Sequence, residues 1–143
     1  MHPYDQLMKD VRSRTPFARR VIVGYPHFFT AQGATKTPLT DRCNGVKKAD
    51  QRWIVEKIDE TDEIIKRHAA KNGFLFADPR SRFNTHELCG SGADWFYGLG
   101  LGLGAGKFHP NPHGHQALEE SIKDVMSDAG LTFQVRRPIT RSS

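Results

Sequence analysis

Three histidines, His109, His113 and His115, lie in the run Lys107-Phe108-His109-Pro110-Asn111-Pro112-His113-Gly114-His115. Imidazole is the side chain that changes charge nearest neutrality, so the run has two chemical uses. One is metal binding, since three histidines and a water make a catalytic type of zinc site. The other is general acid–base catalysis by one ring. Pro110 and Pro112 weigh against the metal, because they impose an extended path on which His109 and His113 do not share a helical face. No acidic fourth ligand stands nearby, so no metal site is expected. What remains is a stiff loop presenting a reactive imidazole at the mouth of a helix, with His109 as the candidate. The plain alternative is three surface histidines.

The elements that must position this loop can be read from periodicity. Residues 3–14 carry Leu7, Met8 and Val11 at helical spacing, and Thr15-Pro16 ends that helix. Residues 20–26 are a short apolar run that reads as a buried parallel-type strand, stopped by Pro26. Residues 27–49 read as a long loop containing Cys43. Residues 50–72 give the clearest helical signal. Ile54, Ile58, Ile65 and Ala69 share a face, Trp53 and His68 stand at its edge, Asp50 is the expected N-cap and Gly73 the stop. Residues 74–78 form a second strand ended by Pro79, which makes a strand–helix–strand unit with parallel strands. Asp78 sits at its carboxyl end, where ligands of parallel sheets bind, though an aspartate before proline also starts turns. Residues 80–106 read as loop, ending in an alternating Gly/Leu run that lacks the Lys-Ser/Thr end of a phosphate loop. Residues 115–129 read as a last helix with Leu118, Ile122, Val125 and Ala129 inward.

Composition narrows the class. The 143 residues suit one domain, and a net charge of +5 with pI about 9.4 is modest and scattered. The basic clusters lack interleaved aromatics, so no nucleic-acid partner is expected. No apolar run is long enough to span a membrane. The first residues carry no secretory signal pattern. Cys43 and Cys89 are either two buried thiols or one disulfide, and the latter asks for an oxidising compartment.

Three segments in order, Val21-Ile22-Val23-Gly24-Tyr25-Pro26, then Asp78…Arg82-Phe83…His86-Glu87-Leu88-Cys89, then Phe108-His109-Pro110-Asn111-Pro112-x-Gly114-His115, resemble the C-terminal half of a secreted SGNH (GDSL-type) hydrolase over roughly residues 3–129. The resemblance implies an α/β fold. It would be a partial flavodoxin-like parallel sheet with flanking helices whose N-terminal strands are missing, filling residues 1–135, with a basic tail at 136–143. It also implies a serine esterase or lipase acting on carboxylic esters or lipids, without a cofactor. The family's His-Pro falls on His109-Pro110, making His109 the general base. The family's aspartate three residues earlier is replaced by Gly106, so the resemblance implies that the backbone carbonyl of Gly106 orients the ring. It implies a Cys43–Cys89 disulfide, and both cysteines lie in loops that leave parallel strands at one end of the sheet. No Gly-Asp-Ser or Gly-x-Asn-Asp occurs, and Ser91, in Gly90-Ser91-Gly92, follows no strand and makes a poor nucleophile. The expectation is a chain that holds the base without the nucleophile and is inactive alone. The parent family is secreted, whereas this chain shows no export signal. The alternative is a non-catalytic binding module that uses the histidine loop and basic surface for weak metal or anionic-partner binding.

Overall fold

The computed structural model describes residues 3–35, 40–98 and 106–131. Most of the Gly/Leu run and the expected basic tail lie outside them. Strand β1 (Val21–Val23) pairs in parallel with β4 (Leu75–Ala77), in the register Val21–Leu75, Ile22–Phe76 and Val23–Ala77. Helix α2 (Lys48–Asn72) connects them and packs on β4 and on helix α1 (Pro3–Arg14). Helix α4 (Pro112–Asp128) packs on both strands and on the short helix α3 (Arg80–Phe83). This is an α/β arrangement of a small parallel sheet with flanking helices.

Several boundaries differ from the sequence expectation, each for a local reason. The 27–49 loop contains a hairpin, β2 (Arg42–Cys43) and β3 (Val46–Lys47), turning through Asn44 and Gly45. The hairpin runs straight into α2, so the cap residue is Lys47 rather than Asp50. The Lys48 N–H donates to the Asp41 carbonyl instead of to a side chain. Asp50 sits in the first turn, where a carboxylate favours the helix dipole. Gly73 ends α2 in the left-handed conformation, as expected. The buried stripe of α2 includes the polar Gln51, Asp62 and Asn72 beside Val55, Ile58, Ile65 and Ala69, while Trp53 is exposed. Helix α4 begins at Pro112, not at residue 115, because a proline at the first helical position gives up only an N–H that has no partner there. Its buried residues are Gly114, Ala117 and Ser121. Leu118, Ile122 and Val125 are half-buried, and Ala129 is exposed. Small residues face inward because the helix lies hard against the loop it follows: a Cβ on Gly114 would stand 2.5 Å from the Trp95 carbonyl oxygen.

The main core gathers at the carboxyl ends of the strands. Phe29, from the loop after β1, packs with Phe83, Leu88 and Phe96, from the chain after β4, and with Val55 and Ala117. Phe83 meets Phe96 and Trp95 at ring-centroid distances of 5.1 and 5.6 Å. Each buried aromatic contributes roughly 2–3 kcal/mol, so the loops carry much of the core's burial energy. Cys43 and Cys89 are joined in a disulfide with Cα atoms 6.0 Å apart, which ties the β2–β3 hairpin to this core.

Two polar clusters fasten α2. Asp5 of α1 is nearly fully buried and accepts from His68 Nδ1–H, Lys71 Nζ and Asn72 Nδ2 at 2.8–2.9 Å. These bonds, that from Lys71 first, hold its carboxyl well below the usual range. Midway along α2, Arg80 reaches Asp59 and, outside the helix, Asp78, both at 2.6 Å. Asp59 also accepts from His27 Nε2–H at 2.8 Å. Asp62 is fully buried and accepts the Tyr25 N–H at 2.9 Å. Asp78 is held down by its bonds from Arg80. In Asp59, burial pushes the carboxyl up, but His27 and Arg80 outweigh it and leave it lowered. Burial pushes Asp62 up, and the Tyr25 N–H only partly offsets that. Asp78 thus serves as a clamp on Arg80 at the start of α3.

Candidate active site

His109 is placed by main-chain pairing with the segment before the Gly/Leu run. The Tyr97 N–H donates to the His109 carbonyl (2.9 Å) and the Phe108 N–H to the Tyr97 carbonyl (2.8 Å). Phe96 and Pro110 form an antiparallel bridge, and the Asn111 N–H donates to the Trp95 carbonyl at 2.8 Å. Phe108 adopts a φ of +60°, a left-handed conformation that a bulky residue holds only under constraint. The constraint is its ring, which packs on Phe28 and Phe29 at 6.2 and 6.1 Å. Packing Phe108 half-buried against this pair turns the next side chain outward, and His109 is exposed. Since Phe28 and Phe29 follow β1 and Tyr97 belongs to the chain after β4, His109 stands at the carboxyl end of the sheet.

Asn111 supports the loop from the other side. Its Oδ1 accepts the N–H groups of His113 and Gly114 at the start of α4, and its Nδ2 donates to the Asp94 carbonyl. Trp95, whose carbonyl receives Asn111, is stacked on His86 at 3.8 Å with the planes 3° apart. Arg82 of α3 bonds Glu120 at 2.7 Å and also Asp124, tying α4 down.

The His109 ring is oriented by a backbone carbonyl, but not by that of Gly106. Nδ1 lies 3.0 Å from the Lys107 carbonyl oxygen. The Gly106 carbonyl instead accepts the backbone N–H of His109 at 2.9 Å and closes the turn. With that oxygen committed within the turn, the next carbonyl along the chain faces the ring. A carbonyl only accepts, so Nδ1 carries the proton and Nε2 is left with its lone pair. Nε2 has no hydrogen-bond partner among the described residues. This is the tautomer a general base needs.

The other sequence candidates do not join it. His113 and His115 are exposed on the first turn of α4, and among the described residues no group of histidine, cysteine or acidic side chains is arranged to hold a metal. Ser91 lies exposed in a bend, and no serine, threonine or cysteine among the described residues bonds the His109 ring. No described helix is long and apolar enough to cross a membrane. Sequence reasoning missed Asn111 and Trp95. The Asn-Pro pair at 111–112, a cap followed by a first-turn proline, was the available signal for Asn111. Nothing in the sequence pointed to Trp95.

No protein-family model matches the chain. It is 30% identical over 110 residues to Lipase 1 of Streptomyces coelicolor and 31% identical over 110 residues to a lipase of Streptomyces rimosus. Each alignment covers 77% of this chain and 38% of the relative. The solved structure of the extracellular lipase from Streptomyces rimosus superposes with a TM-score of 0.66 at 27% identity, over 87% of this chain and 48% of that one. Phospholipase A1 from Streptomyces albidoflavus gives a TM-score of 0.68 at 22% identity with the same coverage, a likeness of fold. The chain is therefore a relative of the SGNH-type lipases, matching them over less than half of their length.

Proposed function

We propose that this chain is the base-bearing portion of an SGNH-type serine esterase or lipase that hydrolyses carboxylic esters, with His109 as the general base. The observation that carries the reading is the His109 ring itself, exposed, held by the Lys107 carbonyl through Nδ1–H, with Nε2 open. In the assembled enzyme Nε2 takes the proton of a serine Oγ as it attacks the ester carbonyl. It returns that proton to the leaving alcohol; it then takes one from a water that attacks the acyl-serine and gives it to the serine Oγ as the C–Oγ bond breaks and the acid leaves. We assign the serine and the oxyanion donors to the part of the lipases that lies beyond the match, so the chain alone is expected to be inactive. The Cys43–Cys89 disulfide fits a secreted parent protein.

The test has two arms. The isolated chain should hydrolyse p-nitrophenyl butyrate no faster than its His109→Ala variant and should take no label from a serine-directed phosphonate. Robust hydrolysis by the chain alone would overturn the reading. In a hybrid where this chain replaces the matching segment of the Streptomyces rimosus lipase, His109→Ala should lower turnover by roughly 10²–10⁴-fold. A hybrid indifferent to that substitution would remove His109 from the chemistry.

A further inference from the structure

Helix α1 and strand β1 are joined by a turn that holds an aromatic ring out in solvent. The Ala18 N–H donates to the Thr15 carbonyl at 3.2 Å, which places Pro16 and Phe17 at the tip. Arg20 Nη2 donates to the same carbonyl at 3.1 Å, and the Thr15 hydroxyl donates to the Val11 carbonyl at 2.8 Å. The turn is therefore braced from the strand side and from the helix side. Phe17 is 100% exposed, more than any other large apolar side chain described. This is not for want of cover. A cleft of about 300 Å³ opens beside the turn, with Leu75, Ala129 and Leu131 among its walls.

Cations flank the ring on both sides. Arg12, Arg14, Arg19 and Arg20 all fall within residues 12–20, and Phe17 stands between the two basic clusters rather than within either. Arg20 is committed to the Thr15 carbonyl and lies over the Phe74 ring at 5.7 Å. Arg12, Arg14 and Arg19 are exposed, and none of them forms an ion pair among the described residues. Asp10, the nearest carboxylate along the chain, accepts from Gln6 Nε2. Arg12 and Arg14 occupy the last turn of α1, where a cation favours the helix dipole. That accounts for two of the cations, but neither for Arg19 nor for the exposed ring.

We propose that this turn docks the chain on an anionic lipid surface. Phe17 enters the headgroup boundary, and Arg12, Arg14 and Arg19 pair with the lipid phosphates around it. The occupant follows from the two features together. Unpaired cations attract anions, and an apolar ring held in water gains by entering an apolar layer. A soluble polyanion would meet the cations and leave the ring in water, whereas a surface of anionic lipids satisfies both. Strand β1 starts at Val21, so the turn lies at the amino end of the sheet, while His109 stands at the carboxyl end. A chain docked through the turn keeps His109 away from that surface. The contact is thus a tether, not the delivery of an ester to the base, and it is independent of the esterase reading.

The full 143-residue chain is titrated with phosphatidylcholine vesicles made with and without phosphatidylglycerol, and binding is read by co-sedimentation. Only the vesicles with phosphatidylglycerol should bind, and salt should weaken the binding. Arg12→Gln, Arg14→Gln and Arg19→Gln combined should weaken it roughly a hundredfold, at about fivefold per cation. Phe17→Ser should weaken it roughly tenfold. Phe17→Trp should still bind, and lipid brominated in its acyl chains should quench the new indole beyond the parent chain's Trp53 and Trp95. Trp53→Ser, which removes an aromatic 60% exposed on α2, should bind like the parent. Every altered side chain but the wild-type control is exposed on the turn or the helix end, and circular dichroism of the free variants confirms that they fold. Equal binding to both vesicles, no binding by the folded chain, or binding that survives both turn variants overturns the proposal. So does a loss as large in Trp53→Ser, which marks unspecific adhesion. Binding that needs the arginines but ignores Phe17, and that heparin replaces, marks a plain basic surface and overturns the lipid assignment.

Discussion

Breaking the Cys43–Cys89 bond should be the most costly single change outside the aromatic core. The bond closes a loop with a sequence separation of 46, which encloses α2, β4 and α3. Restricting a loop of that size in the unfolded chain removes about 13.5 cal/mol/K, equivalent to about 4 kcal/mol at 25 °C. Both cysteines are buried, at 1% and 8% exposure, so alanine substitution also removes sulfur contacts worth roughly 1 kcal/mol each. The total is a large share of the roughly 5–15 kcal/mol that holds a small domain folded. It also reaches the site: a Cβ on Gly98 would lie 2.4 Å from Asn44 Oδ1, so the hairpin turn rests against the residue next to Tyr97, which holds His109. Urea unfolding followed by circular dichroism tests this on the oxidised chain, on Cys43→Ala, on Cys89→Ala and on the double variant. Because either single change breaks the same bond, all three variants should lose nearly the same stability, the double exceeding either single by no more than the contact of one sulfur. Two singles that add up to the double, or a loss below about 1 kcal/mol, would show that the bond does not constrain the chain as argued.

Gly114→Ala should cost about 1–3 kcal/mol in the same assay, because its Cβ would meet the Trp95 carbonyl and Pro110 rather than a movable side chain. Asn111→Ala should cost about 1–2 kcal/mol and weaken His109-dependent turnover in the hybrid lipase, since it cuts both the cap of α4 and the brace to Asp94. Asp5 and Asp62 should act on acid stability with opposite signs. Asp5, with a lowered folded value, contributes fully above the unfolded carboxylate value of about 3.9, and its contribution is lost as pH falls through the folded one. Asp62, with a raised value, favours the native state while protonated and loses that advantage as pH rises through its folded value. Urea midpoints measured against pH should therefore place Asp5→Asn below the parent chain near neutrality and Asp62→Asn at or above it. The reverse order would refute the assignment.

The parallel pair, the long connecting helix and the position of His109 were legible because each rests on a local rule: an apolar run before proline, a 3.6-residue period, a proline-stiffened loop. The failures share a cause. The inward face of α4 was misread because its buried residues, Gly114, Ala117 and Ser121, are small rather than strongly apolar, and at Gly114 even a Cβ would meet the Trp95 carbonyl. The buried stripe of α2 hid Gln51, Asp62 and Asn72, whose burial depends on partners far along the chain, such as Asp62 on the Tyr25 N–H across 37 residues. The pairing of segment 95–97 with 108–111 joins two stretches separated by a glycine run, and neither carries a strand pattern. The carbonyl that orients His109 differs by one residue from the expected one because a turn, invisible to residue type, had already used the oxygen of Gly106.

That one-residue difference has a testable consequence. An orienting group on the main chain does not depend on the side chain that follows it. Lys107 is exposed, and its ammonium takes no part in holding the ring. Lys107→Ala should therefore leave the His109 tautomer unchanged. Gly106 is different: it sits at φ +133°, where an L side chain is strained even though a Cβ there would meet only Tyr97 Cδ2, at 3.8 Å. Gly106→Ala should cost about 1–3 kcal/mol locally, open the turn that the His109 N–H closes, and release Nδ1 from the Lys107 carbonyl. Nitrogen-15 shifts of the His109 ring read this directly, with the Nδ1–H form dominant in the parent chain and in Lys107→Ala and the Nε2–H form growing in Gly106→Ala. In the hybrid lipase the rate should fall with the lost tautomer, because a neutral carbonyl fixes which nitrogen is basic and does less than a carboxylate to stabilise the imidazolium. If Lys107→Ala shifts the tautomer and Gly106→Ala does not, the ring is held by the lysine side chain, and the main-chain account of the base is wrong.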